Sequence, residues 1–418
     1  MHRQVNAISG RLSLRPPQRQ SLEILDRMVE ITGLDQRVQA RNRVSGRNSV
    51  SENADALAHL RDVIASEFPT VSDFERDFPS LCFALATGVG KTRLMGAFIS
   101  YLYLAHGLRN FFVLAPNLTI YNKLITDFTP NTPKYVFKGI AEFAANLPVI
   151  VTGDNYASGI GTRDEVDRRT DGARQLQMLR DPRHSGDVHI NIFNISKINS
   201  EVRGQRSPRI KRLSEYIGDS YFNYLAELPD LVLLMDESHR YRASAGIRAI
   251  NELKPILGLE LTATPFVEGT KGAIPFKNVI VDYPLGKAME DGFVKEPAVV
   301  TRKNFNPAGM SPEEIERMKL EDGMRLHESV KVELETYARE TSNPIVKPFL
   351  LVIARDTTHA GQLLALIQSD GFFEGRYKDK VIQVDSSRTG ADEEEMIERL
   401  LKVEHPEEPT EIVIHVNM

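Results

Sequence analysis

Cysteine is almost absent from this chain: Cys82 stands alone among 418 residues. A single thiol excludes an internal disulfide framework, and the apolar neighbours Leu81 and Phe83 make it an expected core residue on a strand. Such cysteine usage fits a reducing compartment, so the expected location is cytoplasmic. Long apolar runs are also lacking. The apolar stretches are short and broken by polar residues, so no membrane span is expected. The polar start Met1-His2-Arg3-Gln4-Val5-Asn6 leads into no apolar core of a signal peptide. Nor is there a positive excess: 52 Lys and Arg stand against 57 Asp and Glu, a formal net charge of −5. Nucleic-acid-binding modules are often basic overall, so global charge points weakly away from such a partner. A basic track on one face would nevertheless be enough.

What is present is the composition of a globular chain with room for two domains, 41% hydrophobic and 26% charged. Residues 20–33 carry a helical apolar face through Leu22, Ile24, Leu25, Met28, Val29 and Ile31. Residues 36–54 are polar and read as a loop or insertion, and a second helix is expected over 54–66. Short apolar strands are then expected at 81–85, 111–115, 149–152, 189–193, 231–235 and 258–262, with helical patterns after several of them. Strands alternating with helices predict a parallel sheet covered on both faces. Residues 302–345 read as a charged helical stretch and a domain boundary, and a new αβ pattern with strands at 349–354, 381–384 and 411–416 follows.

Two segments carry chemistry. The strand ending at Leu85 runs into Ala86-Thr87-Gly88-Val89-Gly90-Lys91-Thr92 and then a helix. Strand, glycine loop and helix together are the context of a phosphate-binding loop. Gly88 and Gly90 let backbone N–H groups turn inward, the helix start adds positive partial charge, Lys91 reaches β- and γ-phosphates, and the Thr92 hydroxyl is a Mg²⁺ ligand. The strict pattern asks for glycine where Leu85 stands, so only the Gly-Lys-Thr half matches. The second segment is Asp236-Glu237-Ser238-His239, which ends the apolar run 231–235. An acid at the C-terminal end of a parallel strand faces the ligand crevice. Asp236 is therefore expected to hold Mg²⁺, Glu237 to orient and polarise water, and His239 to link this site to a second one.

These residues resemble helicase superfamily 2. Ala86–Thr92 resembles motif I and Asp236–His239 a DExH-type motif II. Thr262-Ala263-Thr264-Pro265 resembles motif III, which in the family couples ATP to nucleic acid. Ala115-Pro116-Asn117 resembles motif Ia, and Leu14-Arg15-Pro16-Pro17-Gln18 the glutamine motif, where the resemblance implies that Gln18 reads the adenine edge. Tyr283-Pro284-Leu285 with Gly292-Phe293-Val294 resembles the exit from a first motor domain, and 349–355 motif IV of a second. Within the superfamily the chain is most similar to the restriction subunit of type III restriction–modification enzymes, through its Leu-Arg-Pro start, Asp236–Tyr241, Ile192–Lys197 and Val413–Met418.

The resemblance implies an α/β, RecA-like P-loop motor domain with a parallel sheet, plus an incomplete second RecA-like domain. It divides the chain into N-terminal helices with the glutamine motif and an insertion (1–70), a first ATPase domain (71–300), a charged linker (301–347) and a partial second domain (348–418). It implies ATP and Mg²⁺ as ligands, with Gln18, Thr87, Gly88, Val89, Gly90, Lys91 and Thr92 around the nucleotide. Thr92 and Asp236 lie at the metal, and Lys91, Asp236, Glu237 and His239 are catalytic. Contact with double-stranded DNA is expected from Asn117, Thr119, Ser196, Lys197 and the basic run Arg203–Arg212, with coupling through Thr262 and Thr264. A methyltransferase subunit is the implied partner. Motifs V and VI and a nuclease domain are not found in these residues, and slow hydrolysis by this polypeptide alone is the expectation. Alternatives are a repair or RNA helicase, an ATP-gated binding protein with idle hydrolysis, and a small-molecule kinase, against which Thr262–Thr264 and the DExH residues argue.

Overall fold

The computed structural model describes residues 3–43, 54–153, 155, 187–194, 221–242, 250–269, 272–384 and 391–416. The chain forms two compact units, Met1–Ala298 and Val299–Met418.

The first unit is built on seven strands: β1 (Ser80–Leu85), β2 (Asn110–Ala115), β3 (Val149–Thr152), β4 (His189–Asn194), β5 (Leu231–Asp236), β6 (Leu257–Thr262) and, after a hairpin of β7 (Phe266–Gly269) and β8 (Gly272–Pro275), β9 (Val279–Tyr283). The sheet order is β3-β4-β2-β5-β6-β1-β9, with every neighbouring pair parallel. Every residue of β1, β2, β4, β5 and β6 is buried, as expected of parallel strands covered on both faces. The period of two sorts the side chains. Phe111, Val113, Val232, Leu234, Leu259 and Leu261 join one core, whereas Phe112, Leu114, Leu233 and Met235 join the other.

The first core is closed by helices α1 (Arg3–Arg11), α2 (Pro16–Ile31), α3 (Leu34–Arg43), α4 (Ala54–Glu67), α5 (Lys91–His106), α6 (Leu118–Phe128) and α7 (Ala141–Ala145). In α2, Ser21, Leu22, Leu25, Met28 and Val29 are buried along one face. In α5 the run Leu94–Leu102 is buried on all sides, because α1 and α2 pack against it from outside the sheet. Gly107, in the left-handed conformation, ends α5, and Asn117 caps α6 by accepting from the Ile120 N–H at 2.9 Å.

The second unit has three parallel strands, β10 (Leu350–Ala354), β11 (Val381–Val384) and β12 (Ile412–Val416), in the order β10-β12-β11. Its long helix Pro312–Thr341 begins in a reciprocal cap. Ser311 Oγ accepts from the Glu314 N–H at 3.1 Å, and Glu314 accepts from the Ser311 N–H at 2.8 Å. Pro312 is thus the first helical residue and starts the helix.

All nine strands expected from the sequence are present, with ends that differ by a residue at most. One expectation is corrected. Residues 36–43, taken with 44–54 as a polar loop, lie in α3, because Arg37 and Arg41 donate to the carbonyls of Ile256 and Lys254 at 2.6 and 2.8 Å and fasten a hydrophilic helix to the approach of β6. Residues 44–53 lie outside the described residues. Helix α1, strand β9 and the β7–β8 hairpin are additions that periodicity did not reveal. Among the described residues no helix is long and apolar enough to cross a membrane.

Close packing of α5 on the chain after α6 is testable. A Cβ on Gly96 would lie 2.8 Å from Val136 Cβ and 3.0 Å from the Val136 carbonyl oxygen, and the Val136 N–H is itself tied to the Asp127 carbonyl at 2.8 Å. Helix propensity alone would make Gly96→Ala stabilising by about 1 kcal/mol. Overpacking reverses the sign, with an expected net loss of roughly 1–3 kcal/mol. A lowered urea midpoint supports this packing, and a raised one contradicts it.

Candidate functional site

At the C-terminal end of β1, Ala86 still donates to the Tyr283 carbonyl of β9 at 3.0 Å, and the chain then turns through 87–90 into α5. Gly88 and Gly90 make this turn at φ +84° and +102°, a region that a side chain would oppose. Val89 is buried in the core and pins the loop, while Thr87 and Gly88 stay exposed. Gly90 offers no side chain to cap α5, so N–H groups of the first turn remain available to an anion.

The loop is braced from α2. Gln18, 2% exposed, donates through Nε2 to the Gly90 carbonyl at 2.8 Å and accepts at Oε1 from the Arg15 N–H at 2.8 Å. A Cβ at Gly90 would lie 2.6 Å from Gln18 Nε2. Both ends of the Gln18 amide thus meet the chain itself, and the side chain braces the 86–92 loop. Arg15 reaches the loop too: its guanidinium donates to the Gly88 carbonyl at 2.8 Å and lies over the Phe293 ring at 5.0 Å. The sequence marks Arg15 only as a member of the glutamine motif and of the Leu-Arg-Pro start.

Two strand spacings away across β6, about 10 Å, β5 ends in Asp236, which is 7% exposed. Asp236 Oδ1 accepts from the Glu237 N–H at 3.1 Å. Burial, reinforced by the Glu237 carboxylate, pushes the Asp236 carboxyl up to about 6, against the opposing pull of Lys91. Glu237 stands at φ +48°, a left-handed conformation that is uncommon for a residue with a side chain. That conformation turns the chain off the strand into a single 3-10 turn, Ser238–Tyr241.

The two segments, 145 positions apart (236 minus 91), meet in space. Lys91 Nζ lies 3.2 Å from Glu237 Oε1 and 3.5 Å from the Leu85 carbonyl. Its ammonium thus sits between the loop and the acidic strand end. Thr92 is half-buried in the first turn of α5 beside it.

His239 faces β6. Its Nδ1 lies 3.0 Å from both Thr262 Oγ1 and Thr264 Oγ1, and 3.6 Å from Glu237 Oε2. Burial lowers its pKa and outweighs the Glu237 carboxylate, so the ring is neutral near pH 7 and the 3.6 Å approach is not a charged pair. Thr262 Oγ1 also accepts from the Thr264 N–H at 3.1 Å. His239, Thr262 and Thr264 therefore form one hydrogen-bonded set, with the Glu237 carboxylate 3.6 Å from it. Asn117 and Thr119 are exposed at the start of α6, beyond the C-terminal end of β2, which neighbours β5. Ser196, Lys197 and Arg203–Arg212 lie outside the described residues. Sequence reasoning passed over Glu260 and Arg242, although an acid inside the apolar run Leu257–Leu261 was a visible signal.

The family described as "Type III restriction enzyme, res subunit" matches residues 11–267, more than half of the chain. No curated protein matches. Among solved structures the chain is similar to an ATP-dependent Type ISP restriction-modification enzyme, LlaBIII bound to DNA, at 15% identity and a TM-score of 0.45. That match covers 81% of this chain, which spans about a quarter (23%) of the other protein's length. On the family match, with a RecA-like parallel sheet and its phosphate loop in place, this chain belongs to the family of type III restriction enzyme res subunits.

Proposed function

We propose that this chain is the ATP-driven DNA motor of a restriction system, which binds Mg-ATP between 86–92 and 236–237. The observation that carries this reading is the 3.2 Å approach of Lys91 to Glu237 beneath a loop whose two glycines take left-handed angles. The residues suit a divalent cation. Asp236 is a buried carboxyl whose charged form is disfavoured by burial and by the adjacent Glu237 carboxylate, and a hydroxyl is available at Thr92. Asp236 and Thr92 would hold Mg²⁺, which when bound neutralises charge on the phosphates.

The chain's own groups supply the rest. N–H groups of 87–92 line the phosphates. Lys91 exchanges Glu237 for phosphate oxygen, which frees the Glu237 carboxylate to orient a water and accept its proton. His239, neutral and between two threonine hydroxyls, senses whether Glu237 is paired or free and passes that state to Thr262 and Thr264 at the end of β6. Asn117 and Thr119 at the start of α6 would meet DNA phosphates, contacts that are independent of sequence. Sequence recognition would come from a methyltransferase partner, and double-stranded DNA is the proposed track.

With a fluorescent ATP analogue and Mg²⁺, the purified chain is expected to bind, and Lys91→Ala to weaken binding at least about 10-fold, or about 1.4 kcal/mol. Glu237→Gln should keep affinity while DNA-stimulated hydrolysis falls by roughly 10²-fold or more. Unchanged hydrolysis in Glu237→Gln would instead mark an ATP-gated binder. Thr119→Glu is expected to lower DNA affinity in a filter-binding titration without altering nucleotide affinity. Equal DNA affinity in that variant would remove the α6 start from the DNA track.

A further inference from the structure

The turn that carries Glu237 and His239 is fastened to β6 at two points among the described residues. One is His239 on Thr262 and Thr264. The other is Arg242, just past the turn, whose guanidinium donates to Glu260 Oε2 at 2.7 Å and to Glu75 Oε2 at 2.5 Å. The same group lies 3.4 Å from Asn278 Oδ1 and stacks over the Phe276 ring at 3.7 Å. Glu260 is fully buried and two residues before Thr262, so the two share one face of β6. In register, Glu260 lies between Met235 of β5 and Cys82 of β1. Ser80 Oγ and Asn278 Nδ2 donate to its other oxygen at 2.8 and 3.1 Å, and Arg76 Nε approaches that oxygen at 3.5 Å. Burial alone would protonate Glu260, but Arg76 and Arg242 outweigh it and hold its carboxyl below the usual range.

This arrangement is expensive for a plain core. A buried ion pair rarely stabilises more than apolar packing of the same volume, and here it occupies the centre of the sheet. What it supplies is direction. One planar fork serves acids from two separate segments and rests on an aromatic ring, which fixes where residue 242 sits and hence how the preceding turn lies against β6. Phe276 closes the β7–β8 hairpin, its N–H bound to the Pro265 carbonyl at 2.9 Å. The ring under Arg242 is therefore tied to the Thr262–Pro265 segment as well.

We infer that Arg242 is a positioning residue: through Glu260, Glu75 and Phe276 it holds the Ser238–Tyr241 turn so that His239 stays between Thr262 and Thr264 and Glu237 stays at the phosphate loop. The consequence for hydrolysis rests on the function proposed above, but the consequence for the His239 ring does not.

The test uses the full chain with Arg242→Met and Arg242→Lys, with a thermal melt to establish folding. Mg-ATP affinity, read with a fluorescent analogue, is expected to stay within about threefold in both variants, since Lys91 and the loop are untouched. kcat is expected to fall by roughly 30- to 100-fold in Arg242→Met, the scale of an ångström-sized misplacement. Arg242→Lys, whose ammonium serves one acid, should recover part of that loss. Combined with His239→Ala, Arg242→Met should add little further loss, because both act through one contact. A kcat unchanged from the parent, affinity lost in parallel with kcat, or multiplicative losses in the double variant each overturn the inference. Nitrogen NMR of ¹⁵N-histidine-labelled protein without nucleotide gives the independent arm. The hydrogen-bonded Nδ1 signal of His239 should be lost in Arg242→Met and retained in Arg242→Lys, and its persistence in Arg242→Met overturns the inference even if the chain proves not to hydrolyse ATP. Should Arg242→Met fail to fold, Arg242→Lys carries the decision: a partial fall in kcat at unchanged affinity supports the inference, and parental kcat overturns it.

Discussion

One contact organises the first unit: the Lys91 ammonium and the Glu237 carboxylate meet across the end of β6. The contact joins residues 146 positions apart (237 minus 91), and each is set by the turn at its strand end and by the core behind it. Lys91 is where it is because Gly88 and Gly90 turn the chain off β1 and because α5, buried along most of its length, cannot shift without opening the core. Glu237 is where it is because β5 is a fully buried strand in the middle of the parallel sheet and the chain leaves it in a left-handed turn. The strand order puts a single strand between the two, a distance that a lysine side chain and a glutamate can bridge.

That intervening strand is the second element of the account. One face of β6 carries Leu259 and Leu261 into the helix-covered core, and the other presents Glu260 and Thr262 to the turn after β5. A strand with a buried carboxylate and a hydroxyl on the same face departs from the apolar rule for a central strand, and both departures face the same six residues. Electrostatics follow the same plan. Asp236 is raised by burial, His239 is kept neutral by burial, and Glu260 is held ionised by two arginines despite its burial. Burial thus disfavours the charged form of all three groups, and only at Glu260 do neighbouring cations outweigh it.

Much of this was legible beforehand. Runs such as Leu81–Leu85 and Leu231–Met235 are apolar without alternation, which is how buried parallel strands read, and the Gly-Lys-Thr and Asp-Glu-Ser-His segments stand at the strand ends where ligands bind. The resemblance in motif order supplied the family, which the match over 11–267 bears out. What escaped has physical causes. Helix α3 has little apolar face because its hold on the fold is Arg37 and Arg41 on backbone carbonyls, a link spanning more than 200 positions. The Gln18 contact with Gly90 spans 72 positions, which a local motif does not reveal. Arg242 and Glu260 are ordinary charged residues until the sheet brings β6 beside the turn.

The most direct measurement is a structure of this chain with Mg²⁺ and a non-hydrolysable ATP analogue. The account predicts Lys91 Nζ withdrawn from Glu237 onto phosphate oxygen, and the metal held between Thr92 and Asp236. Nucleotide seated away from residues 86–92, or seated there with the Lys91–Glu237 contact intact, would contradict it.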